Sequence, residues 1–424
     1  MKQISFLACL AVIMFSSSST AQNVNMDQLN NRHSKYVVFN QGNSLNFDLF
    51  NDHESDNEFG SYRFLPTSQS LRYNRVDAFF FGIGSDFTDP NSDILNIGGL
   101  DFDGFAGYST GQKDWQYRAE VSKPFSNSFM IGGELRNSST TNDYWRSGLS
   151  ENTISSLVAG YDYHDYYKSE GYSIFSEAKV GKFISVAGSY NYTKYSTLLT
   201  STDYSFFDGG NIGRINPAID ANTDLITQES IGLHLGINKK GYTKGILTSK
   251  FLLEAELSDA LNFKNDFSYN RFEITSQNYI KIDRNTLFKV RMMAGSITGT
   301  APDFKNFALG GIGTLRAAGY KSFVGDRMLL SNTEIVFGDF WEFDRGNLEI
   351  EGLYISMFLD SGWSDFVDNN SKDPFSGFGS FSFSDLTHNL GAGIGTGIVR
   401  FEVATPVAGS DGFTSLWIRL NPTF

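Results

Sequence analysis

Cysteine is almost absent from this sequence. Of 424 residues only Cys9 is a cysteine, and it lies in a short apolar segment at the N-terminus. Residues 1–21 contain one charge, Lys2, then an apolar stretch over Ile4–Phe15 and small residues up to Ala21. This pattern predicts a secretory signal peptide over residues 1–21 rather than a buried N-terminal helix. The mature chain then has no cysteine, which excludes disulfides, thiolate metal sites and a cysteine nucleophile.

Long apolar runs and an excess of positive charge are also missing. After residue 21 no run reaches the roughly 18 apolar residues that a transmembrane helix needs. Without Lys2 the chain has 33 basic and 47 acidic residues, a net charge of 33 − 47 = −14. Binding to phosphates requires a clustered basic surface, so we expect no nucleic-acid partner.

Aromatic residues and glycine are abundant instead. Aromatics make up 15% of the chain, with 39 Phe and 20 Tyr, and there are 42 Gly against 8 Pro. Many aromatics and glycines without long apolar runs are typical of short alternating strands. A membrane β-barrel has this composition because only one face of each strand meets lipid.

Several segments alternate between apolar and polar residues with the period of two that strands require. The clearest are Trp115–Ser122, Ser230–Ile237, Phe251–Leu257, Phe288–Ala294 and Val399–Ala404. A soluble β-sandwich alternates in the same way, so the pattern alone leaves both folds open. The signal peptide, the strand lengths and the strand number together favour a barrel.

The alternation and the turn residues predict about sixteen strands. Most are near the roughly 9–11 residues that a tilted strand needs to cross a bilayer. The predicted strands are 71–83, 99–109, 114–123, 127–137, 153–165, 169–180, 182–195, 226–238, 246–258, 268–281, 285–297, 327–337, 350–360, 386–395, 397–405 and 413–422. We therefore predict an all-β fold, a transmembrane antiparallel β-barrel over residues 71–424, preceded by a short periplasmic or plug segment over 22–70.

The lengths of the links between these strands differ on the two sides of the predicted barrel. If 71–83 runs outward, the outer links include 84–98, 196–225, 298–326 and 361–385. The inner links include 110–113, 181, 239–245, 282–284 and 396, with two longer exceptions at 138–152 and 338–349. Long outer loops and short inner turns are the asymmetry expected of outer-membrane barrels. In this count 298–326 is the sixth outer loop.

The sixth loop contains a glycine-rich segment with an arginine, Leu309–Arg327, and the next strand ends in Phe358–Gly362. Asp360 shares a strand face with Tyr354 and Ser356, which places it in the lumen. A carboxylate in a narrow, partly dewatered lumen needs a partner, and the guanidinium of Arg316 can bind it with two hydrogen bonds. The alternative is that Arg316 is a solvated arginine of an outer loop.

These motifs resemble the signature of the BamA-type outer-membrane barrels, the bacterial surface antigen superfamily. In that family an arginine of the sixth outer loop, usually followed by glycine and an aromatic residue, reaches into the barrel to the aspartate of a Phe-x-Asp-x-Gly strand. Here two alanines separate the arginine from the glycine. The residues that the resemblance implies for this loop latch are Arg316, Gly319, Tyr320, Phe358, Asp360 and Gly362. The resemblance covers about residues 71–424.

The resemblance implies a bacterial outer-membrane protein, surrounded by lipid, that inserts outer-membrane proteins or exports polypeptides without covalent chemistry. It implies no cofactor, no metal and no enzymatic activity. The 49 residues of 22–70 are too few for the periplasmic domains usual in the family, so we expect a separate periplasmic or outer-membrane partner. The alternative is a passive channel or a structural barrel that does not transport polypeptides. A third hypothesis is a hydrolase using His234, although a lone lumen histidine is more often a wall residue.

Two further sets of residues carry predictions. Glu334, Arg400 and Glu402 are expected to face the lumen, where they form a hydrogen-bonded wall or line a solute path. Phe424 ends a strand whose other apolar residues, 416, 418 and 420, lie on one face. A terminal aromatic in that position resembles the assembly signal of outer-membrane barrels, the alternative being a chance phenylalanine.

Overall fold

A computed structural model describes residues 71–420, apart from several short stretches. The positions outside the described part within this range are 85–95, 98–99, 127, 182, 208, 241–246, 262, 284, 344–346, 368–371, 380 and 397–398. The predicted signal peptide, the segment 22–70 and Phe424 lie outside the described residues.

The described chain is built almost entirely of strands. They are β1 (Leu71–Asn74), β2 (Ala78–Gly84), β3 (Asn96–Ile97), β4 (Leu100–Ser109), β5 (Asp114–Ser126), β6 (Phe129–Thr141), β7 (Tyr166–Val180), β8 (Ile184–Thr197), β9 (Leu225–Lys240), β10 (Leu247–Leu257), β11 (Tyr269–Lys281), β12 (Thr286–Gly299), β13 (Phe307–Leu309), β14 (Phe323–Gly325), β15 (Arg327–Phe343), β16 (Asn347–Asp365), β17 (Thr387–Gly395), β18 (Val399–Pro406) and β19 (Ser415–Leu420). One short helix, α1 (Leu149–Ile154), continues into a π-helical turn over Ser155–Ala159, and 3₁₀ turns lie at Asp303–Lys305 and Phe383–Asp385. In the part of the chain that the structure describes, no helix is long and apolar enough to cross a membrane.

Seventeen strands form one sheet, and β13 and β14 form a separate hairpin. The two-residue β3 pairs with β4 alone, which leaves sixteen wall strands. Each wall strand pairs antiparallel with the next along the chain, from β1–β2 to β18–β19. The predicted transmembrane antiparallel β-barrel of about sixteen strands is confirmed. Among the described residues, no strand pairing joins β19 directly to β1.

The connections fall into two sets, one on each side of the wall. On one side the chain passes from β2 through β3 to β4 and turns within 127–128, 181–183, 241–246, 282–285, 344–346 and 396–398. We name the connections on the other side L1 (75–77), L2 (110–113), L3 (142–165), L4 (198–224), L5 (258–268), L6 (300–326), L7 (366–386) and L8 (407–414). Arg316 therefore lies in the sixth connection of the long side.

The count of sixteen is right because two errors in the predicted strands cancel. The predicted strand 71–83 is a hairpin of β1 and β2, because the side chain of Asn74 accepts hydrogen bonds from the N–H groups of Val76 (3.0 Å) and Asp77 (2.7 Å) and closes a turn. The predicted strand 153–165 is not a strand. Its first residues are helical and Gly160, with φ of 73°, ends the π-helical turn.

These two differences also change the sides of the first connections. The link 110–113, predicted as an inner turn, lies with the long connections. The link 84–98, predicted as an outer loop, leaves the end of β2 on the side of the short turns and is an exception to the predicted asymmetry. The two exceptions that the sequence indicated disappear: 138–141 belongs to β6 and the rest of that link belongs to L3, whereas 338–349 is mostly strand around a turn at 344–346.

The wall buries its polar face and exposes its apolar face. On β5, Arg118 is 3% exposed and Trp115 is 65% exposed. On β16, Asp360 is fully buried while Leu353 is 65% exposed. A soluble sandwich would bury the apolar face, so this polarity distinguishes the membrane barrel from the sandwich that the sequence left open.

Replacing Leu359 with Arg, on the apolar face of β16, is expected to lower the free energy of unfolding by about 2–4 kcal/mol in lipid. The same change at Leu225, the first residue of β9 at the long-connection rim, is expected to cost about 0–1 kcal/mol because the charge reaches water. Denaturant unfolding of both variants refolded in lipid vesicles measures the difference. Equal effects at the two positions would contradict the assignment of this face to lipid.

Candidate functional site

The candidate site is built by L6, which folds into the lumen. The β13–β14 hairpin pairs Phe307 with Gly325 and carries a tip over residues 310–322. Gly310, Gly311 and Gly313 in the tip have φ of 113°, 83° and 74°, a region that side chains rarely adopt. A side chain on Gly313 would also meet the backbone of Arg146 in L3. Glycine is therefore required for the tip to turn back in this confined space.

Arg316 lies in the middle of the tip and binds Asp360 of β16. Its Nε donates to Asp360 Oδ2 at 2.8 Å and its Nη2 donates to Asp360 Oδ1 at 2.7 Å, a two-bond contact between guanidinium and carboxylate. The carbon of the guanidinium lies 3.3 Å from the ring centroid of Phe358. Both charged residues are buried, Arg316 with 1% of its surface exposed. The structure thus brings together the arginine, the aspartate and the phenylalanine of the predicted latch.

A second layer of charge surrounds this pair. Arg316 Nη1 donates to Glu402 Oε1 at 3.1 Å and lies 3.9 Å from Glu334 Oε2. Glu334 in turn accepts from Arg400 at 2.7 Å and lies 3.1 Å from the ammonium of Lys289. Arg400 and Glu402 also form an ion pair. The three predicted lumen residues, Glu334, Arg400 and Glu402, therefore form one buried network with the loop arginine.

The backbone of the tip is held as well as the side chain. The N–H of Ala317 donates to Asn389 Oδ1 at 3.0 Å. The carbonyl of Arg316 accepts from Ser415 Oγ at 2.6 Å and from Trp417 Nε1 at 2.9 Å. These partners lie on β17 and β19.

Two further wall residues reach the tip from β12 and β15. Asn332 Nδ2 donates to the carbonyl of Thr314 at 2.8 Å and to Asp360 Oδ1 at 2.8 Å. Arg291 donates to the carbonyl of Gly313 and, through Nη2, to Asn332 Oδ1 at 2.6 Å. Together with the contacts above, the tip and its ion pair bond to six successive wall strands, β12 and β15–β19.

Small residues let the tip approach the wall. Ala317 and Ala318 are 0% and 2% exposed, and Ala317 packs against Phe358 and Ala404. The predicted Gly362 has a packing role, because a side chain there would come within 3.0 Å of Leu309. The two alanines that separate Arg316 from Gly319 thus fill the narrow space between the tip and the wall.

Gly319 and Tyr320 are not brought to the ion pair. The carbonyl of Gly319 closes a turn by accepting from Ser322 N at 3.2 Å. The Tyr320 hydroxyl donates to the carbonyl of Tyr163 in L3 at 2.7 Å, and Arg214 of L4 lies over its ring at 4.7 Å. These two residues serve contacts between connections rather than the contact with Asp360.

Lys321 joins L6 to L3 through two carboxylates. Its Nζ lies 2.7 Å from both Asp143 Oδ2 and Asp165 Oδ2. Burial alone would raise the pKa of both carboxyl groups. The ammonium of Lys321, together with the guanidinium of Arg146 at Asp143 and those of Arg214 and Arg75 at Asp165, outweighs burial and holds each pKa below its usual range. Burial alone would lower the pKa of Lys321, but the two carboxylates raise it above its usual value. The contact is therefore fully ionised at neutral pH.

Sequence reasoning missed several of these partners. Asn332, Asn389 and Trp417 were not singled out, although Asn332 has the strand parity of Glu334 and is thus recognisable as a lumen residue. His234, considered for hydrolysis, is buried in the wall with Nδ1 3.4 Å from Glu254 Oε1.

Replacing Asp360 with Asn is expected to lower the free energy of unfolding by about 3–5 kcal/mol, because it removes one partner of a buried ion pair and leaves the other charged. Asp114 offers a matched control, since it pairs with Lys168 at 2.6 Å but is 45% exposed. Asp114→Asn is expected to cost about 0–1 kcal/mol. Denaturant unfolding in lipid vesicles measures both, and a similar small loss for the two variants would argue against a buried latch.

The contact of Lys321 gives a prediction for pH. Carboxyl groups with a lowered pKa in the folded state stabilise it fully above their unfolded pKa of about 3.9 and lose that contribution as the pH falls further. The difference in thermal unfolding midpoint between the native protein and Lys321→Met is therefore expected to be constant from about pH 5 to 8 and to shrink below about pH 4. A difference that vanishes already at neutral pH would contradict the ionised contact.

The fold and the site allow comparison with known proteins. No protein-family model and no curated protein matches the sequence. Among solved structures, BamA from Haemophilus ducreyi lacking POTRA domains 1–3 is similar, with 13% sequence identity, a TM-score of 0.50 and coverage of 82% of this chain and 69% of that chain.

Two further structures are similar at lower scores. CdiB from Acinetobacter baumannii has 11% identity and a TM-score of 0.44, with 81% of this chain and 56% of that chain covered. CdiB from Escherichia coli has 11% identity and a TM-score of 0.45, with 82% and 61% covered. The chain thus spans less than two thirds of the length of either CdiB chain. The protein has the barrel fold of the BamA-type proteins.

Proposed function

We propose that this protein is a bacterial outer-membrane barrel that inserts outer-membrane proteins or exports polypeptides, without a covalent step. The observation that carries the proposal is the buried pair of Arg316 and Asp360, which fixes the sixth connection inside a barrel with the BamA fold. A loop that folds into the lumen and is held there by hydrogen bonds and ion pairs can withdraw to admit or guide a chain.

The contacts among the long connections support a transporter that is closed at rest. L6 contacts L3 through Lys321 and L4 through Tyr320, so three long connections are joined at the tip of L6. A polypeptide entering this space would have to displace the tip over residues 310–322. The latch is then the contact whose release couples substrate entry to a change of conformation.

We further propose that polypeptide capture is supplied by a separate periplasmic or outer-membrane protein. The support is that the described residues form the wall of a membrane pathway and its connections, a structure that accounts for passage through the membrane. The barrel would then provide the membrane pathway while its partner presents the substrate.

Depletion of the protein, followed by quantification of all integral outer-membrane and exported proteins, tests the function. We expect specific outer-membrane or exported polypeptides to fall, and native protein to restore them. Arg316→Ala present in the membrane at the same level should not restore them, whereas the rim control Asp114→Asn should. An unchanged protein inventory after depletion would contradict the proposal.

The second candidate function is a passive channel or a structural barrel. It is favoured by the buried charges that line the wall away from the latch, such as Arg118 bonded to Glu134 at 2.6 Å, which could line a path for solutes. Conductance in planar bilayers separates the two candidates. A large steady pore that does not respond to Arg316→Ala favours the channel, whereas a nearly closed barrel that Arg316→Ala opens favours the latch.

A further inference from the structure

The first and last wall strands leave a seam in the described barrel. β1 pairs with β2, and β19 pairs with β18, but no strand pairing joins β1 to β19 among the described residues. An unpaired strand edge presents N–H and C=O groups that need partners when they are buried. The backbone groups at the two edges of the seam therefore need partners other than a neighbouring strand.

Helix α1 in L3 binds the edge formed by β19. Glu151 Oε1 accepts from the backbone N–H of Leu420 at 2.9 Å and from Arg419 Nε at 2.9 Å. Arg419 also donates to the carbonyl of Arg146, just before the helix, at 3.4 Å. Glu151 and Arg419 are 5% and 2% exposed, so this is a buried contact rather than a surface ion pair.

The same segment binds the edge formed by β1 and its turn. The hydroxyl of Thr153 accepts from the backbone N–H of Tyr73 at 3.4 Å. Asp162 Oδ2 accepts from the backbone N–H of Arg75 at 2.9 Å. Arg75 and Asp162 are fully buried. Backbone donors at both edges are thus bound by side chains of one short segment.

Asn152 makes this segment a single unit. Its Nδ2 donates to Asp162 Oδ1 at 3.0 Å and to the hydroxyl of Tyr166 at 2.8 Å. Its Oδ1 accepts from the N–H of Tyr163 at 2.7 Å. The residue between Glu151 and Thr153 therefore connects the helix to the part of L3 that holds Arg75.

We propose that residues 149–162, which we call the seam strap, act as one unit that holds the described edges of β1 and β19 in place relative to each other. The edge donors, the ion pair at Arg419 and the internal bonds of Asn152 all belong to this one element. The inference does not depend on what the barrel transports, because it concerns only how its two edges are joined.

Hydrogen–deuterium exchange of the whole protein in lipid nanodiscs tests the strap. Glu151→Ala removes the contact with β19, and Thr153→Val removes the contact with β1. If the strap is one unit, each variant raises exchange at both edges, residues 71–74 and 415–420, by about tenfold or more. Amides of β11 on the far wall and all amides in the control Asp114→Asn should exchange at the native rate.

The deciding observation is whether each variant raises exchange at the edge that its substituted residue does not contact. Should Glu151→Ala affect only 415–420 while Thr153→Val affects only 71–74, the contacts are independent and the strap is overturned. Unchanged exchange at both edges in both variants would overturn it equally. Thr153→Val changes one hydroxyl and keeps the side-chain volume, so it supplies a readout if Glu151→Ala does not fold. Hydrogen–deuterium exchange does not measure transport. The result for the strap is therefore independent of whether the proposed function is correct.

Discussion

The ion pair of Arg316 and Asp360 is the contact around which the lumen is arranged. Burying both charges costs desolvation free energy, and the two-bond geometry with Asp360 together with Glu402 offsets that cost. The charged wall residues that bond to the tip or to its ion-paired partners balance in number. They are Lys289, Arg291 and Arg400 against Glu334, Asp360 and Glu402. Withdrawal of the loop therefore leaves this set of wall residues without net charge and returns the Arg316 guanidinium to water, so the latch can be released.

The shape of the tip follows from this contact. A guanidinium can reach Asp360 only if the backbone next to it comes close to the wall, and close approach excludes large side chains. Ala317 and the glycines of the tip satisfy that condition, and Gly391 on β17 leaves room for the ring of Phe358 beneath the arginine. The ion pair between Arg316 and Asp360 therefore requires the small residues of the tip.

The sequence predicted the strand parity better than the strand boundaries. Alternation put Asp360, Arg400 and Glu402 on the polar faces of their strands, and these side chains are buried in the structure, because a period of two depends only on neighbouring positions. Strand boundaries in 71–83 and 153–165 were wrong, because they depend on local side-chain bonds such as those of Asn74 and on tertiary contacts of L3. Arg316 could be paired with Asp360 from the sequence because both belong to motifs that resemble those of a known family.

The partners of the tip backbone could not be predicted in the same way. Asn389 lies 72 positions after its partner Ala317, and Trp417 lies 101 positions after Arg316. Their roles arise only when the sheet curves and brings β17 and β19 under the tip. The long-range contacts of L3 have the same origin. A region without regular alternation gave no sign that its polar residues bind both the sixth connection and the last strand.

L3 connects the latch to the seam through Arg146. Its backbone occupies the space beside Gly313 in the tip, and its carbonyl accepts from Arg419 on β19 at 3.4 Å. Lys321 adds a second attachment between L6 and L3 at Asp143 and Asp165. A tip that leaves the lumen must therefore either break these contacts or pull on the segment that holds β19. In the second case, a movement of the tip is transmitted through L3 to the segment that bonds the edge of β19, so the latch and this edge of the wall are physically connected.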